Sequence, residues 1–143
     1  MIQSFIKGII SAISAEYGSE YAKYKKPPEQ GLKKGSFLVR CVTPVTVPKL
    51  GNRAEKSYTF HITYFPKDAD NSEVECFEVG ETLSGALQAI MVDGVAVHSK
   101  GELTSRVDEG VLQFTATYLV HAMRNNEPME DMQYLDYETS AVE

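Results

Sequence analysis

The sequence predicts an α+β fold, a two-layer sandwich in which two helices pack on one face of a mainly antiparallel sheet. Two segments have apolar residues at helical spacing, and two long segments alternate between apolar and polar residues as half-buried strands do. Neither the helices nor the hairpins can bury an apolar face alone, whereas one sheet carrying both helices on one side buries them all. We expect one domain at residues 1–124 in the order α-β-β-β-α-β-β, followed by an acidic C-terminal tail at 125–143.

The first element is an amphipathic helix at the N-terminus. Its apolar residues recur every three or four positions and so lie on one helical face: Ile2, Phe5, Ile6, Ile9, Ile10 and Ile13. Gly18 is placed to end the helix as a left-handed cap. Only Lys7 gives this helix a positive charge, so we expect it to pack on the core rather than on a membrane surface. No segment approaches membrane-spanning length, and we expect a soluble, intracellular protein.

Two alternating segments predict the first hairpin. Phe37–Val42 and Tyr58–Phe65 both place aromatic or aliphatic residues at every second position, and we expect them to pair in antiparallel orientation. Between them, Pro44 and Pro48 predict a sheet edge or a chain that leaves the sheet, because proline cannot donate to a central ladder. Lys49–Lys56 is expected to be a mobile hairpin loop with a basic tip.

A shorter strand and a chain break precede this hairpin. Glu20–Lys25 contains two tyrosines and is a candidate for a short strand. The segment Lys26–Gly31 that follows contains two consecutive prolines, which remove backbone donors and restrict the preceding residue. We expect regular structure to be interrupted there.

The second helix is predicted to follow the turn at Asp68–Ser72. Ser72 and Glu75 have the spacing of a capping box. The predicted apolar face mixes large and small residues, which would let the helix lie close to the sheet: Phe77, Leu83, Leu87, Ile90 and Met91, with Cys76, Gly80 and Ser84. Asp93-Gly94 is expected to end this helix.

The last and longest strand is Val111–Met123. Val95 and Val97 predict a short strand before it, Gly101–Val107 predicts another, and Asp108–Gly110 is a hairpin turn. Leu112, Phe114, Ala116, Tyr118, Val120 and Ala122 form one face of the long strand, which we expect to be the floor beneath both helices. Gln113, Thr115, Thr117, Leu119, His121 and Met123 form the other face.

The charge distribution excludes a general nucleic-acid surface. The formal net charge is −6 and the sequence pI is about 5.1, so we expect no direct nucleic-acid recognition. The chain from Lys23 to Lys67 is basic in balance, whereas Glu127–Glu143 is acidic and contains no Lys or Arg. Head-to-tail docking between copies is compatible with this division, but a solvated surface is the simpler interpretation. The lysines and arginines before the second strong strand are open to two interpretations, a phosphate or DNA contact or, more simply, a solvated face: Lys25, Lys26, Lys33, Lys34, Lys49, Arg53 and Lys56.

The sequence contains no strong catalytic or cofactor motif. Cys41 and Cys76 lack metal-ligand spacing and are expected to be half-buried, reduced thiols. His61 and His121 could be neighbours across the sheet, but no HxH or HExxH spacing supports a metal site. The chain also lacks a P-loop, GxGxxG and GxSxG. We expect neither an enzyme nor a cofactor.

The polar faces of the two strong strands are more informative. Both are rich in threonine and poor in lysine and glutamate, whereas a freely solvated sheet face usually carries more charge: Thr59, His61, Thr63, Thr115, Thr117 and His121. One interpretation is a face covered by another subunit or by a loop, and the other is that threonine simply favours strands. We take these residues, together with Lys49, Arg53 and Lys56, as the candidate subunit or partner interface.

Four segments carry a resemblance to a known family: MIQSFIKGIISAI, EQGLKKGSFLVRCVTP, YTFHITYFP and RVDEGVLQFTATY. Together they resemble the small tail-terminator proteins of phages and prophages of Gram-positive bacteria, over Met1–Arg124. Gly35-Ser36 stands where these proteins often have a proline before the first strong strand, and the acidic tail has no counterpart.

The resemblance implies a structural virion protein with a tail-terminator-like α+β fold. Such proteins form a six-membered ring on the last ring of the tail tube, stop its polymerisation and present a surface to the head-tail connector. The implied partners are further copies of the chain, the tail tube protein and the connector protein, and no membrane. The implied location is the virion tail, and the host cytoplasm during assembly. The resemblance is also compatible with a protein that is monomeric before it docks on the tail.

The alternative is a small-ligand-binding or hydrolytic α+β domain with a pocket between helices and sheet. Such a pocket would have to use Tyr21, Tyr58, Tyr64, Tyr118 and Cys41.

Overall fold

A computed structural model of the chain describes residues 1–18, 20–26, 33–68 and 70–123. Most of the predicted break at Lys26–Gly31 and the whole acidic tail lie outside the described residues. The elements follow in the order α1 Ile2–Tyr17, β1 Ala22–Tyr24, β2 Ser36–Pro48, β3 Arg53–Phe65, α2 Ser72–Ala86, β4 Ala89–Val92, β5 Val95–His98, β6 Thr104–Asp108 and β7 Val111–Met123. Neither helix of the described part is long and apolar enough to cross a lipid bilayer.

Five strands form one sheet in the order β1-β2-β3-β7-β6. β1 pairs with β2 in parallel orientation and every other neighbouring pair is antiparallel, while β4 and β5 form a separate two-stranded sheet. The predicted α+β class and a mainly antiparallel sheet with two helices are confirmed. The long strand has the predicted bounds, Val111–Met123.

The core lies between the helices and one face of this sheet, which we call the inner face. The strand residues of the inner face are almost all fully buried: Phe37, Val39, Tyr58, Phe60, Ile62, Tyr64, Leu112, Phe114, Ala116 and Tyr118. They belong to the same cluster as Phe5, Ile9 and Ile13 of α1 and Cys76 and Leu83 of α2. The opposite face of the sheet, the outer face, carries the remaining residues of these alternating strands. The predicted floor beneath the helices is therefore confirmed for Leu112, Phe114, Ala116 and Tyr118, while Val120 is only partly buried against the core and Ala122 lies outside it.

α1 packs as its apolar spacing predicts, and two glycines shape it. A Cβ at Gly8 would lie only 2.4 Å from the carbonyl oxygen of Met91, so the helix and β4 approach as closely as their backbones allow. Gly18 follows the last helical residue, and its amide donates to the carbonyl of Ser14. Its φ of 76° is positive as expected, but its ψ of −168° is not the left-handed helical conformation that we predicted.

α2 differs from the prediction at both ends. The N-cap is Asn71, no side chain caps the helix, and Glu75 instead reaches the backbone before the helix, so the capping box is wrong. The helix ends at Ala86, and Ala89–Val92 is strand β4. Asp93 and Gly94 have φ values of 51° and 83° and form the tight turn between β4 and β5, because Asp-Gly suits a type I′ hairpin turn better than a helix end.

The buried side of α2 consists of Cys76, Val79, Gly80 and Leu83. A Cβ on Gly80 would lie 2.4 Å from the hydroxyl oxygen of Ser105, which confirms that a small residue brings this helix close to the sheet. Phe77 and Met91 were expected on the apolar face but are exposed, since α2 turns Phe77 away from the sheet and Met91 alternates outwards in β4.

The three long strands extend beyond the helices. β2, β3 and β7 have 13 residues each, or about 43 Å, whereas α1 has 16 residues, or about 24 Å. Beyond Tyr58 and Tyr118, which are buried in the core, the strands continue as a three-stranded extension with its turn, which we call the arm, of residues 42–57 and 119–123. The expected mobile loop at Lys49–Lys56 is therefore wrong in extent, because the strand ladder runs from Pro48↔Ala54 onwards and leaves only a short turn.

Both prolines of this region lie in β2, opposite Tyr58 and Ala54. β1 pairs only with Ser36–Leu38, so no strand of the described part pairs with the other side of β2 beyond Leu38. The prediction that this segment is a sheet edge is confirmed. A register shift between Cys41 and Thr43 changes which residues face outwards, so that Thr43, Val45 and Val47 join the outer face.

Candidate assembly surface

The threonine-rich residues of the two strong strands lie together on the outer face, as the sequence predicts. Thr59 of β3 lies opposite Thr117 of β7, and their hydroxyl oxygens are 3.0 Å apart. Thr63 donates from its hydroxyl to the side-chain oxygen of Gln113 at 3.2 Å. These cross-strand hydrogen bonds hold a flat, half-buried polar row along the middle of the sheet. Paired short side chains leave the sheet surface open to close approach by another protein.

The two histidines of this face are not neighbours. The register places His61 opposite Thr115, six residues before His121, which corresponds to about 20 Å along a strand. His121 lies opposite Glu55 instead. The prediction that they could be adjacent is therefore wrong, and the described residues contain no group of three His, Cys, Asp or Glu side chains that could hold a metal ion.

The three basic candidates do not form one patch. Lys49 lies in the turn at the end of the arm, and its ammonium nitrogen is 3.8 Å from a carboxylate oxygen of Glu55. Arg53 lies on the outer face with Glu55, Ser57 and Thr59, by strand alternation. Lys56 has the same parity as Tyr58 and therefore lies on the inner face of the arm. The predicted basic tip is thus divided between two faces of the sheet.

Two further guanidinium groups lie on the outer face. Arg40 of β2 is exposed opposite His61, and Arg106 of β6 is exposed opposite Gln113. Together with Arg53 they place three guanidinium groups on the outer face, which also carries the carboxylates of Glu55 and Asp108. Strand alternation predicts that Arg40 faces outwards, because Phe37 and Val39 face the core and Leu38 and Arg40 alternate with them. The turn at Asp108–Gly110 sets the register between β6 and β7, and this register places Arg106 on the outer face.

The arm exposes apolar side chains that nothing in the described part of the chain covers. Val42, Val45 and Val47 are 45%, 43% and 41% exposed, and Leu50 in the turn is 93% exposed. Leu119 is half-buried on the same outer face, opposite Ser57. Exposing apolar surface to water costs about 25 cal/mol for each Å². A partner that covers the arm would remove this surface from water and so bind with favourable free energy.

The polar groups beneath the helices form hydrogen bonds that are part of the packing. The hydroxyl of Tyr118 donates to the carbonyl of Leu87 at 2.6 Å, and the hydroxyl of Tyr64 donates to Glu75 at 2.5 Å. Burial is the largest cause that raises the pKa of both tyrosines above the ordinary value. Burial also raises the pKa of the Cys41 and Cys76 thiols, which favours the less reactive protonated form. Both cysteines are free, as predicted.

Glu75 organises the turn before α2. Its carboxylate accepts hydrogen bonds from the Tyr64 hydroxyl and from the backbone amides of Lys67 and Asp68, the latter two at 2.8 and 3.0 Å. Burial acts to raise the pKa of Glu75, but these three hydrogen bonds outweigh it and leave the pKa below its ordinary value. The carboxylate is therefore a structural group that stays ionised near neutral pH.

An open cleft lies between the end of α2 and the β5–β6 connection, away from the helix–sheet contact where the ligand-binding alternative requires a pocket. Its lining contains no carboxylate and no thiol: Ser84, Gln88, His98, Ser99, Gly101 and Leu103. The Ser84 hydroxyl donates to the carbonyl of Gly80 at 2.9 Å. The tyrosines on which that alternative depends lie elsewhere, in the core.

Comparison with known protein families finds a match that covers most of the chain. Residues 4–130 match the family model described as "Phage tail terminator protein". No curated protein matches the chain.

Proposed function

The chain belongs to the phage tail terminator family, a structural family, and from this premise we propose that it forms a ring that caps the tail tube. The ring ends tube polymerisation and provides the surface to which the head-tail connector joins. Its partners are further copies of the chain, the tail tube protein and the connector protein. It acts in the virion tail after assembly in the host cytoplasm, and no step of this function needs catalysis.

The observation that supports the proposal most strongly is that the two helices cover only one face of the sheet. The inner face is closed by α1 and α2, whereas the outer face and the arm present paired threonines, exposed valines and three guanidinium groups. A soluble protein rarely leaves a continuous, weakly charged sheet face and an apolar edge without a use for them. We assign the contact between copies to this surface, with Thr59, Thr117 and Val45 near its centre.

A head-to-tail contact accounts for ring closure. When one surface patch binds a different patch on the next copy, the assembly closes if the rotation per copy divides a full turn. The closed ring covers the tube end that would otherwise recruit the next layer of tube protein. Six copies, the number that the family resemblance implies, require a rotation of about 60° per copy.

Deletion and complementation in the phage or prophage that encodes the chain test this function. Without the protein, we expect tails of uncontrolled length that do not join heads, seen by negative-stain electron microscopy. Wild-type protein supplied in trans should restore one tail length and head attachment. Tails of normal length in the deletion strain would overturn the proposed function.

A further inference from the structure

The solvent side of α2 has an unusual composition for an exposed helix. Val74 and Phe77 are 59% and 47% exposed, and each lies four positions along the helix from at least one glutamate. At about 100° per residue, the exposed residues fall within one stripe opposite the buried side, and we call it the acidic stripe: Glu73, Val74, Phe77, Glu78 and Glu81. It combines an apolar centre with a carboxylate rim, as protein interfaces do.

In the part of the chain that the structure describes, the carboxylates of the acidic stripe have no cationic partner. α2 contains four glutamates and no Lys, Arg or His, and only Glu75 is used internally. Among the described residues, the single ion pair is Lys49–Glu55. Glu73, Glu78 and Glu81 therefore concentrate negative charge on one side of the molecule without internal compensation.

The outer face of the sheet carries three arginines against two carboxylates, those of Glu55 and Asp108, and so has an excess of positive charge. Its guanidinium groups, those of Arg40, Arg53 and Arg106, also lack an ion pair with any described carboxylate. The exposed valines lie on or beside the same face. Guanidinium groups pair with carboxylates through two parallel hydrogen bonds, which gives both energy and orientation.

We propose that the acidic stripe of α2 is the surface that receives the outer sheet face of the next copy. The inference rests on the proposed ring and names the second half of its contact. Val74 and Phe77 pack against the valines of the neighbour's β2, and Glu73, Glu78 and Glu81 pair with the neighbour's arginines.

The geometry favours this contact over a symmetric one. α2 packs on the inner face, so the acidic stripe and the outer face point to opposite sides of the molecule. Two acidic stripes in contact would bring like charges together, which is unfavourable. A contact between stripe and outer face pairs opposite charges and is heterologous, as a ring requires.

A charge-reversal exchange tests the proposal. The helix variant carries Glu73→Lys, Glu78→Lys and Glu81→Lys, and the sheet variant carries Arg40→Glu, Arg53→Glu and Arg106→Glu. Each is supplied alone and then both together in the deletion strain, and tail length is measured by electron microscopy. Urea unfolding verifies that each variant is folded. Matched controls reverse equal charge at exposed positions elsewhere: Glu16→Lys, Glu20→Lys and Glu102→Lys for the first, and Lys7→Glu, Lys25→Glu and Lys33→Glu for the second.

Each variant alone brings like charges together, and we expect the yield of normal-length tails to fall about a hundredfold. The mixture pairs the altered helix of one copy with the altered sheet of the next in alternation, and we expect it to restore the yield. Normal tails with the helix variant alone, or no rescue by the mixture, would overturn the proposal. Neither result would overturn the proposed function, which fails if the deletion strain makes tails of normal length.

Discussion

The two faces of β3 differ although they belong to the same 13 residues. On one side, Tyr58, Phe60 and Ile62 are buried beneath both helices, and Phe60 is in contact with Phe5 of α1 at a ring-centre distance of 5.8 Å. On the other side, Thr59 and His61 are half-buried and lie opposite residues of the neighbouring strands β2 and β7. The first face stabilises the fold, and the second is the face that we propose for assembly. Substitutions on the two faces should therefore separate folding from assembly.

Removing an aromatic side chain from the inner face should have the largest effect on folding. Phe60 is fully buried, so Phe60→Ala leaves a cavity and should lower the free energy of unfolding by about 3–5 kcal/mol. Urea denaturation followed by circular dichroism measures it. The adjacent Thr59→Ala on the outer face removes only one cross-strand hydrogen bond and should cost about 1 kcal/mol or less. Equal losses would contradict the distinction between the faces.

The contact between α1 and β4 should tolerate no extra atoms. Gly8→Ala forces a shift of the β4 backbone, because the new Cβ would meet the Met91 carbonyl, and should cost about 1–3 kcal/mol in thermal or urea unfolding. Gly85 in α2 has open space at its Cβ position. Gly85→Ala should therefore stabilise the protein by about 0.5–1 kcal/mol. A neutral Gly8→Ala would show that the helix layer is looser than we describe.

Acid should weaken the hydrogen bonds that the Glu75 carboxylate accepts before α2. The pKa of this carboxyl group is lowered in the folded protein, so its contribution to stability is complete above the ordinary glutamate pKa of about 4.3. That contribution is lost as the pH falls through the lower pKa of the folded state. Glu75→Gln should cost about 1 kcal/mol near neutral pH and progressively less in acid. A difference from wild type that stays constant across pH would contradict this role.

Much of the fold follows from periodicity, and the part that does not has local causes. Val111–Met123 alternates without interruption, so its bounds and both of its faces are predictable. Leu87–Val92 satisfies a helical spacing and a strand alternation equally well, and only the packing of β4 against α1 decides between them. The register shift after Cys41 has no sequence signal that we can identify.

The sequence predicts the positions of the threonines in the candidate site better than the positions of its charged residues. Thr59, Thr63, Thr115 and Thr117 lie where strand alternation places them. The sequence predicts Lys56 in a loop, whereas β3 already begins at Arg53 and strand alternation places Lys56 on the inner face of the sheet. The sequence does not reveal the acidic stripe, because the apolar spacing places Phe77 in the core. A single apolar residue among glutamates does not show which side of the helix faces the sheet.

Thr117→Lys should have the smallest effect on folding and a large effect on assembly. Thr117 lies at the centre of the outer face beside Thr59, and a lysine there can extend into solvent in an isolated copy. We expect the urea midpoint to remain close to that of wild type, with a change of about 1 kcal/mol or less. Ser11→Lys, on the exposed side of α1, is the matched control.

Tail length with Thr117→Lys protein is the most direct test of the outer face as the contact between copies. The deletion strain is supplied with wild-type, Thr117→Lys or Ser11→Lys protein, and tails are measured by electron microscopy. We predict uncontrolled tail length with Thr117→Lys, and uniform tails with wild-type and Ser11→Lys protein. Uniform tails of normal length with folded Thr117→Lys protein would contradict the assignment and place the contact between copies elsewhere on the molecule.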